Sequence, residues 1–575
     1  MESPQIPILR ALLFSTHCFL IIQRQLALPP PLLLVLDTCG YIPLWYATSM
    51  PASAITPYIL ESLQNPTAYP VQTRTVEMIQ THVSWLFLTD THVFKLKKPV
   101  NFGFLDFSTL ELRRFYCYEE LRLNRRLCQD IYEQVIELRE TDTCAAFTGD
   151  GKVIEYAVMM KRLPADRMLD RLVDSGRISV EEMQIIALEI CKFHSNAHTS
   201  PHISKFGSLE QIQFNWRENF EQAQPFRTST LPAAVSKTIR IYVETFTDSH
   251  RTLFTERVEN GYIRECDGDI HLGNICLLNS TAYIFDCIEF NERFRFCDTA
   301  ADIAFLLMDL DFHRRPDLAD AALSTYITAS GDSTLAKLIT FYKVYCAFVR
   351  GKVESLQLLD TGIAQEKRTA AEKRATRYFR LAQGYCLRSR LPPTLLITCG
   401  TMGCGKSTLV DQLAFEIGLA TFNSDAVRKQ LAGLLPETAV QVLFEDGLYS
   451  SKMSQSTYRQ LERLADTELA SGHSVVIDAG FGNAAERAHF ARLAASHQAE
   501  FVILLVQCDP DEQRRRLRER SSRGGSVSDG RVELLDQQRG VFEPPDDSEG
   551  TIISYSTSGT SEHDLNTFYE RLFRS

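Results

Sequence analysis

Residues 395–416 read LLITCGTMGCGKSTLVDQLAFE, and this stretch decides the fold of the C-terminal third. Its centre, Gly400-Thr401-Met402-Gly403-Cys404-Gly405-Lys406-Ser407, satisfies the G-x-x-x-x-G-K-[ST] spacing of a phosphate loop. The apolar run Leu395 to Thr398 predicts a buried strand, and Thr408 to Ile417 predicts a helix. Glycines at 400, 403 and 405 let the backbone turn its N–H groups, including that of Cys404, toward phosphate oxygens. The N-terminus of the following helix adds positive potential beside Thr408. Lys406 then reaches the β- and γ-phosphates, and the Ser407 hydroxyl holds Mg²⁺. The pattern specifies a bound nucleoside triphosphate but not the reaction.

The chain has 575 residues, too many for one core, so two domains and an appendage are expected. An apolar share of 45% and a charged share of 23% are those of an ordinary globular protein. The net charge of -11 argues against nucleic acid as the main partner. The 15 cysteines are scattered, without C-x-x-C pairs or zinc-like spacing, as expected of reduced thiols in a cytoplasmic protein. Ala11 to Ile22 and Pro29 to Leu36 are apolar, but each is shorter than the ~20 residues that span a bilayer. Residues 1–53 read as a poorly structured extension from an early start codon, with a membrane-associating segment as the alternative. No membrane span is expected, and oligomeric state is not encoded legibly.

Residues 55 to 160 mix strands with one strong helix. Residues 178 to 390 read as mostly helical, with a strand-rich patch near 263 to 290. Gln365 to Arg388 predicts one long charged helix, which Pro392 and Pro393 prevent from continuing. The expected domains are therefore 54–390 and 391–575. The second alternates strand and helix, as in an α/β domain with a parallel sheet. Within it, Asp425 and Arg428 follow a second short strand, Val475 to Ala479 carries Asp478 in the manner of a Walker-B aspartate, and Phe501 to Cys508 is a fourth strand. Arg514, Arg515, Arg516, Arg518, Arg520 and Arg523 then crowd one helix and its loop.

A second constellation lies at Arg264 to Asn291, RECDGDIHLGNICLLNSTAYIFDCIEFN. Asp269 precedes Asn274 by five residues, and Asp286 follows an apolar strand. This is the layout of a kinase catalytic loop and its metal aspartate. One carboxylate accepts the proton of the attacking hydroxyl, while an amide and a second carboxylate hold Mg²⁺. The region resembles the aminoglycoside phosphotransferase-like branch of the protein-kinase fold, which implies an α+β domain. The resemblance further implies that Lys95, on the second strand of a hairpin at 85–97, grips the α- and β-phosphates. Glu119 or Glu120 would pair with it, Glu120 being favoured. Ala157 to Leu163 would supply the adenine hinge, and Asp302 would brace the catalytic loop. Two features depart from that family. Asp267 replaces its usual histidine and is expected to raise the proton affinity of Asp269. His82-Val83-Ser84 stands where a Gly-rich loop is usual, leaving Ser84 as a phosphate contact by analogy.

KLKKPVNFGFLDFSTLELRR and FDCIEFN, together with the order of both halves, resemble a bacterial family in which such a kinase domain is fused to a C-terminal P-loop domain. The C-terminal half also resembles small P-loop kinases of the polynucleotide-kinase, gluconate-kinase and zeta-toxin type, often labelled AAA-like. That likeness implies Asp425 as base, Asp478 in support of Mg²⁺, and Arg516 and Arg520 in a lid. The alternative for the arginine run is a solvated helix paired with Asp511, Glu512 and Glu519. Arg113, Arg114, Arg125 and Arg126 read as a solvated helix face, and His194 and His198 as packing or capping residues. The expected activity is ATP-dependent phosphoryl transfer at two nucleotide sites onto small hydroxylated acceptors. The alternatives are an N-terminal pseudokinase regulating a P-loop ATPase and a zeta-toxin-like kinase acting on nucleotide sugars.

Overall fold

The computed structural model describes residues 55–573, apart from 142–143, 360–362, 436–437, 439–446, 524–531 and 559–561. The extension expected at 1–53 lies outside the described residues, as does the side chain of Arg523. The N-terminal sheet is built from β1 (Glu77–Gln80), β2 (Ser84–Leu88), β3 (His92–Lys97), β4 (Tyr132–Glu140), β5 (Ala145–Ala146) and β6 (Lys152–Lys161), in the order β1-β2-β3-β6-β4-β5. All of its pairings are antiparallel. The expected hairpin is β2–β3, with Leu86 opposite Lys95. Successive side chains of β3 alternate faces. Phe94 and Leu96 therefore enter one core with Ile59, Leu63 and Phe87, while Lys95 and Lys97 share the opposite face. Helix α1 (Leu110–Asn124) starts where the Thr109 hydroxyl accepts the N–H of Leu112.

Below this sheet lie α2 (Val180–Asn196), α3 (Leu209–Gln222), α4 (Thr299–Phe312), α5 (Leu335–Leu356) and α6 (Gln365–Arg388). Between α3 and α4 run two short antiparallel pairs, β7 (Ile263–Glu265) with β10 (Phe296–Asp298) and β8 (Ile275–Leu278) with β9 (Thr281–Ile284). Helix α6 changes character along its length. Its first half carries the exposed charges of QEKRTAAEKR, and its second half, Tyr378 to Leu387, is buried. That apolar half packs on α5 and on the first helix of the next sheet.

The C-terminal sheet comprises β11 (Thr394–Cys399), β12 (Ala420–Asn423), β13 (Val475–Asp478), β14 (Glu500–Gln507) and β15 (Thr551–Ser556), ordered β12-β13-β11-β14-β15. Every neighbouring pair is parallel. β11 is central and buried throughout, which explains its unbroken apolar sequence, since parallel strands are covered on both faces. α7 (Lys406–Ile417) follows β11 through the phosphate loop, α8 (Ser424–Leu431) follows β12, and α9 (Pro510–Arg523) follows β14. Both sheets belong to one compact unit, residues 52–575.

Candidate functional sites

On the polar face of β3, Glu120 of α1 lies between two lysines. Its Oε1 is 2.9 Å from Lys95 Nζ and its Oε2 is 2.6 Å from Lys97 Nζ. Lys97 also pairs with Glu289, and Lys95 Nζ is 2.5 Å from Asp286 Oδ1. Burial opposes the charge on Lys95, but Asp286, Glu120 and Glu289 outweigh it and hold the ammonium pKa well above its ordinary range. Burial also pushes Asp286 upward, and Lys95 more than reverses this, leaving the carboxyl below its usual value. Glu119, the alternative partner, instead pairs with Arg122. Lys97 and Glu289 were missed by the sequence reading. The signal for Lys97 was present, because residues two apart on a strand share a face.

The loop at Asp269 is held from behind. Asp302 of α4 accepts the N–H of Gly268 at 2.8 Å and that of Asp267 at 3.1 Å, as expected of a brace. His194 of α2 hydrogen-bonds Asp302 at 2.9 Å and Tyr326 at 2.7 Å, so it is a buried packing residue. Gly268 has φ +91°, and a Cβ there would meet the Phe294 carbonyl oxygen at 2.9 Å, so the turn requires glycine. Asn274 Nδ2 lies 3.2 Å from the Asp269 carbonyl and 3.4 Å from Asp269 Oδ2. Asp286 adopts φ +66°, uncommon for a residue with a side chain. Lys95, Asp269 and Asp286 line one cavity of about 330 Å³, and Ser84 lines it too, its buried hydroxyl without a hydrogen-bond partner among the described residues.

Two expectations need correction here. Asp269 does have a raised pKa, but its own burial is the main cause, opposed by His271 and Arg350 and aided by Asp286 and Asp309. Asp267 is itself buried, and burial and Asp302 push its carboxyl far up, favouring its neutral form. Its Oδ1 instead accepts the Asp269 N–H at 3.1 Å. Of the arginines of α1 and its end, Arg114 and Arg125 are exposed, as a solvated face requires, but Arg113 and Arg126 are not. Arg113 is buried against Glu155 at 2.7 Å, and Arg126 donates to the carbonyls of Glu265 and Cys266. Arg125 donates to the Tyr132 carbonyl, and Arg114 lies over the Tyr156 ring. The partners of Arg113 and Arg126 are distant in sequence, so helical periodicity alone misplaces these two.

At the C-terminal end of β11, Lys406 Nζ donates to the Gly400 and Thr401 carbonyls at 2.9 and 3.0 Å, folded over the loop it closes. Gly405 has φ +99°, and a Cβ there would meet Thr557 Cγ2 at 2.9 Å. Gly400 and Gly403 also have positive φ, Cys404 is buried, and Ser407 and Thr408 are exposed at the start of α7. Asp478, buried at the end of β13, accepts from Asn423 Nδ2 at 2.7 Å and lies 3.4 Å from Thr398 Oγ1. Asp425 pairs with Arg428 on α8. Arg516 donates to the hydroxyl and carbonyl of Thr557 at 2.9 and 2.8 Å, and Thr557 Oγ1 donates to the Cys404 carbonyl at 2.7 Å. Arg520 is half-buried one turn further along α9. Arg514 and Arg515 pair with acidic neighbours, among them Asp511, Glu512 and Glu519, as the solvated-helix alternative requires. Gln513 and Gln538, not anticipated, fix the loop: Gln513 Nε2 donates to Thr401 Oγ1, and the Met402 N–H donates to Gln538 Oε1, both at 2.7 Å.

Both donor sets suit a hard divalent cation, which takes oxygen ligands. They are Asn274 with the partly exposed carboxylate of Asp286, and Ser407 with Asp478. Every described cysteine is a free thiol, and no described helix is long and apolar enough to cross a membrane.

A phosphate loop after the central strand of a five-stranded parallel sheet defines a P-loop nucleotide-binding domain. Residues 395–545 match the family described as "AAA domain". A Synechococcus shikimate kinase is 34% identical over 133 residues, 23% of this chain and 60% of that protein. The chain is thus an ATP-dependent phosphotransferase by class. "Uncharacterized protein Rv2004c" of Mycobacterium tuberculosis is 30% identical over 459 residues, 80% of this chain and 88% of that protein. This chain belongs to the same family as that mycobacterial protein. A solved choline/ethanolamine kinase family protein from Mesorhizobium loti is 11% identical, with a TM-score of 0.35 over 57% of this chain and 98% of that one.

Proposed function

We propose that the chain carries two ATP sites and transfers the γ-phosphoryl group to small hydroxylated acceptors. In the N-terminal domain, 54–390, Lys95 clamps the α- and β-phosphates, Glu120 holds Lys95 in place, and Asp269 takes the proton of the acceptor hydroxyl. In the C-terminal domain, 391–575, the loop from Gly400 to Thr408 cradles phosphate, Lys406 neutralises it, and Asp425 is the base. Arg516 and Arg520 face the transferring group from α9. Mg²⁺ would be held by Asn274 and Asp286 at one site and by Ser407 and Asp478 at the other, where it neutralises charge on the phosphate oxygens.

The observation that carries the N-terminal half is the convergence of Lys95, Asp269 and Asp286 on one cavity, with Lys95 already paired to Glu120. That convergence favours a working site over a pseudokinase, although Asp267 replaces histidine. The test is transfer of labelled γ-phosphate to a cell metabolite extract by wild type, Asp269→Asn and Lys406→Ala. Two separable losses are expected. An Asp269→Asn protein with full activity would leave the N-terminal half a sensor and overturn the two-site reading.

A further inference from the structure

The cavity at Asp269 extends to a second wall made by α3 and α5, where Trp216, Asn219, Gln222, Arg350 and Lys352 line it. Trp216 is 2% exposed, and its indole Nε1–H has no hydrogen-bond partner among the described residues. Lys352 is 9% exposed and donates to two amide oxygens, Asn219 Oδ1 and Gln222 Oε1, each at 2.6 Å. Among the described residues no carboxylate lies within ion-pair distance of Lys352. Lys352 thus has only neutral hydrogen-bond acceptors, with Glu218 acting on it electrostatically, and the same cavity is lined by the unpartnered Trp216; a buried ammonium and a buried N–H in that state favour an added anion. Burial accordingly lowers Lys352 to about 8.

The carboxylates lining the cavity are already engaged. Glu289 pairs with Lys97, Asp298 with Arg257, and Asp302 with the loop N–H groups. Asp269 and Asp286 sit at the phosphate end. A cationic acceptor would find no free counter-charge at the α3–α5 wall, whereas an anionic one would find Lys352 and the Trp216 N–H. Phe206, Phe294, Phe341 and Tyr345 also line the space, which suits a compact molecule with a carbon skeleton.

We infer that the N-terminal site takes a hydroxylated carboxylic acid, its carboxylate bound by Lys352 and Trp216 Nε1 and its hydroxyl directed toward Asp269. The inference rests on the phosphotransferase reading of this site. In the transfer, the acceptor oxygen forms a bond to the γ-phosphorus, and the bond from that phosphorus to the β–γ bridging oxygen breaks. ADP leaves with the electron pair, and the hydroxyl proton passes to Asp269.

The test is calorimetric binding to the full chain, without nucleotide, of matched probes: glycerate against glycerol, glucuronate against glucose, and glucosamine as the cation. At least one acid should bind about tenfold or more tightly than its uncharged partner, the worth of a charge-assisted hydrogen bond. Lys352→Met should abolish that preference while leaving the unfolding transition near that of wild type; Lys352→Gln, closer in polarity, serves if the methionine variant misfolds. Equal affinity of every acid and its partner, tighter binding of glucosamine, or an acid preference that survives both substitutions would each overturn the inference. Asp269-dependent transfer onto neutral polyols without acid preference defeats the inference alone. Acid binding that requires Lys352 without any Asp269-dependent transfer defeats the catalytic reading and leaves the binding pocket standing.

Discussion

A Cβ on Gly384 would lie 1.5 Å from the carbonyl oxygen of Glu416, so α6 and the phosphate-loop helix α7 meet backbone to backbone at this pair. The contact is reinforced by Arg377 of α6, whose guanidinium lies 4.3 Å from the Phe415 ring centroid, while Glu416 Oε2 accepts from the Tyr569 hydroxyl at 2.6 Å. Helix α6 thus joins the α5 wall of the N-terminal cavity to the helix that presents Lys406 and Ser407. Gly384→Val must force α6 from α7, and overpacking of this kind costs about 1–3 kcal/mol. Urea unfolding should show that loss, and a variant as stable as wild type would mean the helices separate freely.

Glu120 compensates two buried lysines, whereas its neighbour Glu119 pairs with Arg122 nearer the surface. Glu120→Gln leaves Lys95 with Asp286 and Lys97 with Glu289 but removes a charged hydrogen-bond acceptor from both, and should destabilise the protein by about 1.5–3 kcal/mol. Glu119→Gln should cost about 1 kcal/mol or less. Denaturant midpoints of the two variants check the contrast.

Burial lifts Glu155 from 4.5 to about 7, against the pull of Arg113. Between those values the native state keeps a proton that the unfolded chain releases, so stability is greatest below the unfolded pKa and falls as pH rises through the window. The loss should total about 3 kcal/mol at 1.36 kcal/mol per unit. Glu155→Gln should lack this slope when unfolding is measured at about pH 5 and about pH 7. A variant with the wild-type slope would assign the pH dependence elsewhere.

Asp269 must be ionised to accept a proton, and burial raises its pKa. Asp269-dependent transfer should therefore decline on acidification at a higher pH than an ordinary aspartate would set. Asp269→Asn should cost about 10²–10⁴-fold in that share of turnover. The pH profile of transfer in a Lys406→Ala background isolates it, and a flat profile down to the ordinary aspartate range would remove Asp269 from the proton-accepting role.

Much of the fold was legible because its signals are local. The strand, loop and helix from 394 to 417, the β2–β3 hairpin and the limits of α6 each follow from contiguous patterning and from the punctuation of glycine and proline. Asp269 and Asn274, five residues apart, come together for the same reason. Arg113 and Arg126 did not yield to that reasoning. Their burial depends on Glu155 and on the carbonyls of 265 and 266, which no local period encodes.

By itself the sequence determined a phosphate loop, a parallel sheet behind it and the chain order of a kinase-like constellation, because backbone conformation is set chiefly by neighbouring residues. The tertiary structure alone decided that Lys97 and Glu289 join the Lys95 network, that Asp267 is buried beside Asp302, and that Trp216 and Lys352 share a cavity with Asp269. Those outcomes depend on burial and on electrostatic pairing between side chains far apart in sequence, and both are fixed only when the elements pack.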